Sequence, residues 1–389
     1  DESNLNYLCA AGVCFMLLVS LNTELRKTNW FKKNNVVEPK LLDFLDLVSL
    51  GTICDVVPLI GLNRALVRQG LKVISKKKNL GLKTLIDICK IESKPSTYHL
   101  GYVLGPRINA GGRVGKCSHG ANLLLNNDPK DSFRIASELD KFNQERKTIE
   151  KKLLNIVLNK IDTRLDDPII VLEGYEWHEG IIGIIASRIK DRFNKPTIII
   201  SITNDIGKAS ARSIVGFDIG SAILSAVQNE ILIKGGGHKM AGGFSINTNK
   251  IKIFKQFITK KYESLFKGEK KRDLIYYDSQ ISPSAVNLDF FTQVDKLSPF
   301  GSGNPEPKFL LEDVKILNSK IVGEKHIKSI IGSKDGSVIK SISFNSIETD
   351  LGQFLLNKKG KNFNTIGKLS LNEWKGEKNV EFIIDDISV

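Results

Sequence analysis

Five glycines surround one histidine in the string GGGHKMAGG, between residues 235 and 243. Such a density of glycine leaves backbone amides with no Cβ beside them, an arrangement that binds phosphate oxygens in many turns. The string therefore predicts a phosphate-binding loop at Gly236, Gly237 and His238. The glycines alone are equally consistent with a mobile loop.

Charge favours a polyanionic partner. The 389 residues include 57 Lys and Arg against 43 Asp and Glu, a net charge of +14, and the pI is about 9.4. This excess fits nucleic acid better than a neutral metabolite. A genome biased toward A and T also produces chains rich in Lys, Asn and Ile, so charge supports nucleic-acid binding without establishing it.

Length and apolar content predict a soluble protein of two or three domains, since 389 residues exceed one hydrophobic core and 41% are hydrophobic. The cysteines are scattered without a CxxC pair, which predicts reduced thiols in the core and a cytoplasmic location. Residues 7–21 form an apolar run of about 15 residues, short of the roughly 20 that span a membrane. We therefore expect a buried helix there and no membrane association.

The N-terminal part is predicted to be a helix-rich α/β region with helices at residues 7–26, 39–48 and 63–76. Asp128 and Pro129 are an N-cap and first-turn pair that should begin a long helix. Its apolar stripe is predicted to comprise Ile135, Leu139, Phe142, Ile149, Leu153 and Ile156. Such a helix would connect two lobes, and a coiled-coil dimer is the alternative.

Beyond residue 168 the pattern predicts a small α/β domain. It reads as a strand at 169–172, a helix at 180–192, strands at 197–202 and 208–212, a helix at 218–230 and then the glycine loop. After a charged stretch at 267–272, short strand patterns follow at 274–278, 309–322, 326–331, 338–344 and 380–384. Several short strands of this kind favour a small β-barrel of OB type, which commonly binds single-stranded nucleic acid.

Two strings in the N-terminal part contain residues suited to metal or phosphate. Asp55 lies in GTICDVVPL and could supply an oxygen ligand to a hard divalent cation, although no partner ligands are visible and a helix or turn cap is the alternative. Arg107, Asn109 and Arg113 share the glycine-rich string GPRINAGGR. Guanidiniums beside bare amides suit bidentate contact with phosphate or carboxylate. The alternative is a structural Arg that pairs with a buried Asp.

Two further positions are predicted from local geometry. His178 precedes Gly180, where a helix should begin, so its ring and the free first-turn amides would face one anion; a satisfied core histidine is the alternative. Ser210 and Arg212 are two residues apart on a predicted strand and should point to the same face. A hydroxyl beside a guanidinium predicts a site for a terminal phosphate.

Taken in order and spacing, these strings resemble the RecJ family of the DHH phosphoesterase superfamily. The strings are GTICDVVPL, GPRINAGGR, WHEGIIGIIASR, the segment at 210–218 and GGGHKMAGG. The resemblance covers nearly all of the chain. It implies the C-terminal portion of a DHH domain at 1–127, a connecting helix at 128–164, a DHHA1 domain at 165–266 and a RecJ-type OB domain at 273–389. SPFGSGNPEP at 298–307 resembles the signature of that last domain.

The resemblance implies a single-stranded-DNA-specific 5′→3′ exonuclease of DNA repair and recombination that uses two Mn²⁺ or Mg²⁺ ions. Asp55 would be a metal ligand and, with His178, a catalytic residue. Arg107, Arg113, His178 and the glycine loop would hold phosphates, and Ser210 and Arg212 would receive the 5′-terminal phosphate. Its partners would be single-stranded DNA with a free 5′ end, a single-strand-binding protein and a helicase.

One departure is large. The first three metal-binding motifs of the family, including Asp-His-His, do not occur in this sequence, so we expect an incomplete chain that binds DNA far better than it cuts. A DHH/DHHA1 oligoribonuclease or nucleotide phosphatase is one alternative, and residues 273–389 argue against it because such enzymes usually lack the barrel. A non-catalytic single-strand-binding relative is the other.

Overall fold

The computed structural model describes residues 4–161, 167–266, 274–374 and 376–389. Its α-helices are α1 Ala10–Lys27, α2 Trp30–Lys33, α3 Leu45–Cys54, α4 Gly61–Ser75, α5 Leu80–Ile88, α6 Gly105–Val114, α7 His119–Leu125, α8 Pro129–Ile161, α9 Glu179–Phe193, α10 Ile219–Gln228, α11 Ile251–Phe266, α12 Leu288–Asp295 and α13 Asp350–Asn357. Its strands are β1 Ile170–Tyr175, β2 Thr197–Thr203, β3 Ile206–Arg212, β4 Lys234–His238, β5 Ala241–Asn247, β6 Ser279–Gln280, β7 Phe309–Val322, β8 His326–Gly332, β9 Val338–Ser343, β10 Asn362–Trp374 and β11 Glu377–Ser388. Among the described residues, no helix is both long enough and apolar enough to cross a membrane.

The chain separates into two compact units. The first comprises Asp1–Lys76, Lys94–Gly101 and Asp273–Val389. The second comprises Lys77–Ser93 and Tyr102–Arg272. The first unit therefore contains the N-terminal helices and the C-terminal barrel, and the second contains α5 to α11.

The helix predicted at residues 7–26 is confirmed as α1, but it is not buried on all sides. Phe15 of α1 packs with Leu45 of α3 and Leu66 of α4. On the opposite face of α1, Val13 and Leu17 are 54% and 66% exposed. The prediction of a buried helix is thus wrong for one face, because an apolar run does not by itself say how many sides are covered.

The cysteines also differ from expectation in part. All five are free thiols. Cys9 is buried, whereas Cys14 and Cys117 are exposed. The predicted core placement is therefore wrong for these last two.

A closed barrel forms the C-terminal part of the first unit. The strand order is β10-β11-β9-β8-β7-β6, and an additional β10–β7 pairing closes the sheet. Phe309, Leu311, Phe363 and Phe382 fill its interior. The strand predicted at 274–278 is wrong, since those residues precede the two-residue β6. The 13-residue β10 was not predicted because two of its four buried positions are Thr365 and Gly367, so that the alternation of buried residues is not an alternation of apolar ones.

Helix α8 organises the second unit. At 33 residues it is about 50 Å long. The Asp128 carboxylate accepts a hydrogen bond from the Asp131 amide at 2.8 Å, which confirms the predicted N-cap. Ile156 is 49% exposed, contrary to prediction, because the buried stripe continues instead through Val157 and Ile161.

The α/β domain of the second unit has a five-stranded sheet in the order β1-β2-β3-β5-β4. β1 and β2 are parallel, and the other neighbours are antiparallel. α8 and α9 contribute to the core on one face, and α10 and α11 to the core on the other. The predicted strands and helices of this domain are confirmed to within a few residues, with one exception at the glycine string.

Candidate phosphate-binding site

The glycine string folds as a β-hairpin, so the prediction of a loop is wrong. β4 and β5 pair throughout, and Lys239 and Met240 form the turn. None of the five glycines has a positive φ. Gly235 and Gly242 lie on the face that α10 covers: a Cβ on either would lie 2.8 or 2.5 Å from side-chain atoms of Ile223.

The other face of the hairpin is open. Gly236 pairs with Gly243, which in turn pairs with Ser210 of β3. A Cβ on Gly236 would meet nothing within 4 Å, and one on Gly243 would meet only the Ala209 carbonyl at 3.3 Å. Gly236 and Gly243, called here the glycine shelf, therefore let a ligand approach the backbone beside Ser210.

Ser210 and Arg212 lie on one face of β3, as predicted. Arg212 Nη1 donates to Ser210 Oγ at 3.2 Å and to the Ala211 carbonyl at 2.8 Å. The first turns of α9 come close to both side chains, since a Cβ on Gly183 would lie 2.9 Å from Ser210 Oγ and 3.2 Å from Arg212 Nη2. The hydroxyl and the guanidinium thus lie against the N-terminal part of a 15-residue helix.

The charge of Arg212 is not neutralised by a neighbouring carboxylate among the described residues. Burial lowers the pKa of the Arg212 guanidinium, and the positive charge of Arg113 lowers it further. Arg113 itself donates to the Gly180 carbonyl at 2.7 Å. Two guanidiniums beside a helix N-terminus form an electrostatic environment that favours an anion.

Further arginines adjoin this pair and were missed by the sequence reasoning. Glu150 has a side chain only 4% exposed; it pairs with Arg146 at 2.7 Å and also with Arg188. Partial burial is the main cause that lowers the pKa of Arg113, and Arg146 is the next. The spacing of Arg146 and Glu150, i and i+4 on α8, was an available signal, and Arg188 ends the WHEGIIGIIASR string.

His178 acts as the N-cap of α9. Its Nδ1 accepts a hydrogen bond from the Gly180 amide at 3.2 Å, so that amide is not left free for an anion as predicted. Because Nδ1 is the acceptor, Nε2 carries the proton in the neutral ring and can donate to a ligand. His238 is exposed at the end of β4, and both it and Arg212 are paired with Ala241. The catalytic role of His178 stays a prediction.

Arg107 and Asn109 lie on α6, because GPRINAGGR folds as a helix. The expectation of bare amides there is wrong, since amides inside a helix bond to carbonyls of the preceding turn. Arg107 Nε donates to Asp140 Oδ1 at 2.7 Å and its Nη1 donates to the Val103 carbonyl at 2.8 Å. These bonds match the structural alternative for Arg107, although the Asp140 side chain is 31% exposed and not buried as that alternative supposed. Asn109 is exposed, and phosphate binding by either residue stays a prediction.

Asp55 belongs to the first unit, where it ends α3 with an exposed side chain. A carboxylate in that position fits as one oxygen ligand of a divalent cation. Across the described ranges, however, no group of three or more His, Cys, Asp or Glu is placed to hold a metal ion. Asp55 therefore fits the ion only as a single ligand, and the described residues do not form a complete metal centre.

Comparison with known proteins agrees with this organisation. The DHHA1 domain model matches residues 166–264, and the RecJ OB domain model matches residues 277–386. The chain is 35% identical over 396 residues to the single-stranded-DNA-specific exonuclease RecJ of Escherichia coli K12, covering 98% of this chain and 67% of that protein. RecJ of Haemophilus influenzae is 34% identical with the same coverage.

Solved structures give the same result. The crystal structure of Thermus thermophilus RecJ in complex with Mn²⁺ matches with a TM-score of 0.77 and 28% identity. A structure of the same protein with Mg²⁺ matches with a TM-score of 0.76. The Mn²⁺ comparison covers 92% of this chain and 51% of the Thermus chain, so this chain spans about half of that protein. On sequence, domain content and fold together, the chain belongs to the RecJ family of single-stranded-DNA-specific exonucleases.

Proposed function

We propose that the chain acts in single-stranded-DNA-specific 5′→3′ exonuclease chemistry, and that its second unit binds the 5′-terminal phosphate at Ser210 and Arg212. One observation carries the proposal. Arg212 is half-buried, hydrogen-bonded to Ser210, close to the first turns of α9 and without a carboxylate partner in the described parts of the chain. A partly buried cation of this kind loses part of its hydration, which an anion at the site would compensate.

The groups at the site suit a terminal phosphate better than an internal one. Ser210 Oγ can donate one hydrogen bond, Arg212 can donate two in parallel, and α9 adds a positive potential from its N-terminus. A terminal phosphate has more charge and more free oxygens than a phosphodiester. The glycine shelf beside Ser210 leaves room for the nucleotides that follow. A pocket that holds the end of the strand explains why cutting would start from the 5′ end.

For metal binding, we propose that Asp55 is one carboxylate ligand of a Mn²⁺ or Mg²⁺ site whose other ligands are not among the described residues. When bound, such ions supply an activated water and neutralise charge on the scissile phosphate. The contribution of this chain is then to hold the substrate end and one ligand. A role in repair and recombination, a single-strand-binding protein, a helicase and a cytoplasmic location remain predictions.

Binding of single-stranded DNA should depend steeply on salt. Each phosphate neutralised by Lys or Arg releases counterions, so the logarithm of the association constant should fall with that of the salt concentration by about 0.7 per contact. With Arg113 and Arg212 at the site, we expect a slope of about −1.4 or steeper. Fluorescence anisotropy with a 5′-phosphorylated oligonucleotide, titrated at several NaCl concentrations, measures it. A flat salt response, or equal affinity for a blunt duplex of the same length, would contradict the proposal.

A further inference from the structure

Strands β3, β5 and β4 form the half of the second unit's sheet that lies beyond α9. Directly paired residues of antiparallel strands point to the same side of a sheet. Three rows of residues therefore share one face with the candidate phosphate site: Arg212, Ala241 and His238; Ser210, Gly243 and Gly236; and Lys208, Ser245 and Lys234. We call these three rows the open face. The residues between them, such as Ala209, Phe244 and Ile246, point the other way into the core with α10 and α11.

The charge of the open face is positive. The sequences of the three strands, IGKASAR, KGGGH and AGGFSIN, contain no Asp or Glu. One carboxylate reaches the face from the start of α9, where Glu179 Oε2 pairs with Lys208 Nζ at 2.8 Å. Lys234 is exposed and makes no ion pair within the described residues. The face therefore complements a polyanion, and Lys234 offers it an uncompensated charge.

The spacing of the cations suits the backbone of an extended single strand. Neighbouring strands of a sheet lie about 4.8 Å apart and alternate residues about 7 Å apart, so Lys234 lies roughly 12 Å from Ser210 across β5. Phosphates that follow the terminal one can reach that position. Because Gly243 and Gly236 have no side chains, a sugar-phosphate backbone can lie directly on the sheet between the two ends.

The open face offers little to the bases. Surfaces that bind single strands commonly stack the bases on aromatic side chains. In these three strands, all of which the structure describes, the ring of Phe244 lies in the core and only His238 places a ring on the open face. His238 is at the opposite end of β4 from Lys234. Phosphate contacts carry no sequence information, so a strand of any sequence fits this face equally well.

We infer that the open face is a track for the sugar-phosphate backbone of single-stranded DNA, and that Lys234 binds a phosphate downstream of the 5′ end. The place of this track in the reaction rests on the proposed function, since Ser210 and Arg212 would hold the first phosphate of the same strand. Binding at Lys234 depends neither on the bases nor on the terminal phosphate.

The first test compares Lys234→Ala with the matched control Lys252→Ala. Both remove one exposed lysine from the second unit, but Lys252 lies on α11, which packs on the opposite face of the sheet. We expect Lys234→Ala to weaken binding of single-stranded DNA about three- to fivefold, as for an exposed charge pair. It should also make the salt slope shallower by about 0.7, the contribution of one phosphate contact. Lys252→Ala should change neither quantity in anisotropy titrations at several NaCl concentrations.

A second test uses modified oligonucleotides to separate the backbone from the bases. A strand with uncharged methylphosphonate linkages near its 5′ end should bind the unaltered protein about tenfold more weakly, and Lys234→Ala should lose less affinity for it than for the unmodified strand. A strand with abasic sites at the same nucleotides should bind like the unmodified strand. Unchanged affinity and salt slope in Lys234→Ala, or a loss with abasic sites as large as that with methylphosphonates, would overturn the inference.

The 5′ terminus distinguishes this inference from the proposed function. Lys234→Ala should weaken binding of 5′-phosphate and 5′-hydroxyl oligonucleotides alike, whereas Arg212→Ala should act mainly on the first. If Arg212→Ala affects both alike while Lys234→Ala still reduces the salt slope, the terminal-phosphate site fails and the track stands. If Arg212→Ala discriminates between the two ends and Lys234→Ala behaves like Lys252→Ala, the track fails and the terminal site stands.

Discussion

Replacement of Glu150 by alanine should destabilise the second unit by about 3 kcal/mol, because it leaves a buried arginine without its counterion. Arg146 is 12% exposed and pairs with Glu150, and Arg188 pairs with the same carboxylate. Arg113 adds a further positive charge nearby. Urea unfolding followed by circular dichroism would measure the loss of stability.

Glu138 on the same helix is the matched control. It is 39% exposed and pairs with His119 and Arg134, so Glu138→Ala should cost at most about 1 kcal/mol. Equal losses in the two variants would show that Glu150 is not the buried counterion that holds the arginines together. Glu150→Gln keeps hydrogen-bonding capacity without the charge, so its loss of stability should lie between those of Glu150→Ala and Glu138→Ala.

Arg212→Ala should weaken binding of 5′-phosphorylated single-stranded DNA about 10- to 100-fold, equivalent to roughly 1.5–3 kcal/mol for a charge-assisted contact. The same oligonucleotide with a 5′-hydroxyl should lose much less affinity, since the contact is made to the terminal phosphate. Titration of both oligonucleotides against the unaltered and substituted proteins gives the comparison. In a chain that cuts DNA, Arg212→Ala should likewise slow cutting of the 5′-phosphorylated oligonucleotide much more than cutting of the 5′-hydroxyl oligonucleotide.

Arg107 provides the control for a structural arginine. Its side chain is 13% exposed and bonded to Asp140, so Arg107→Ala should lower the melting temperature and affect both oligonucleotides alike. If Arg212→Ala behaves in that way, Arg212 belongs to the fold and the 5′-phosphate assignment is lost.

Strong periodicity made part of the fold predictable. The 3.6-residue pattern and the terminal Asp128 identified α8, and the apolar runs of β1 and β2 identified the sheet. Segments without clear periodicity were predicted wrongly. GPRINAGGR contains three glycines and a proline, and yet it forms α6, because Ala110 and Gly111 are buried and tertiary packing overrides helix propensity.

The candidate site likewise contains residues that local sequence patterns predict and residues that they do not. Ser210 and Arg212 were placed on one face because strand alternation is a local property of sequence. The contacts of Glu150 with Arg188 and of Arg113 with Gly180 join elements far apart in the chain, and no local pattern encodes them. The glycine string was found but wrongly predicted to be a loop, since the pairing of its two strands and the helix that packs on Gly235 and Gly242 are visible only in the folded protein.

A crystal structure of this chain with a 5′-phosphorylated oligonucleotide would show whether Ser210 and Arg212 receive the 5′ end of the strand. We expect the terminal phosphate within hydrogen-bonding distance of Ser210 Oγ and the Arg212 guanidinium, with the following nucleotide over Gly236 and Gly243. A terminal phosphate bound elsewhere, with Ser210 and Arg212 making only the contacts they make in the free protein, would contradict this assignment.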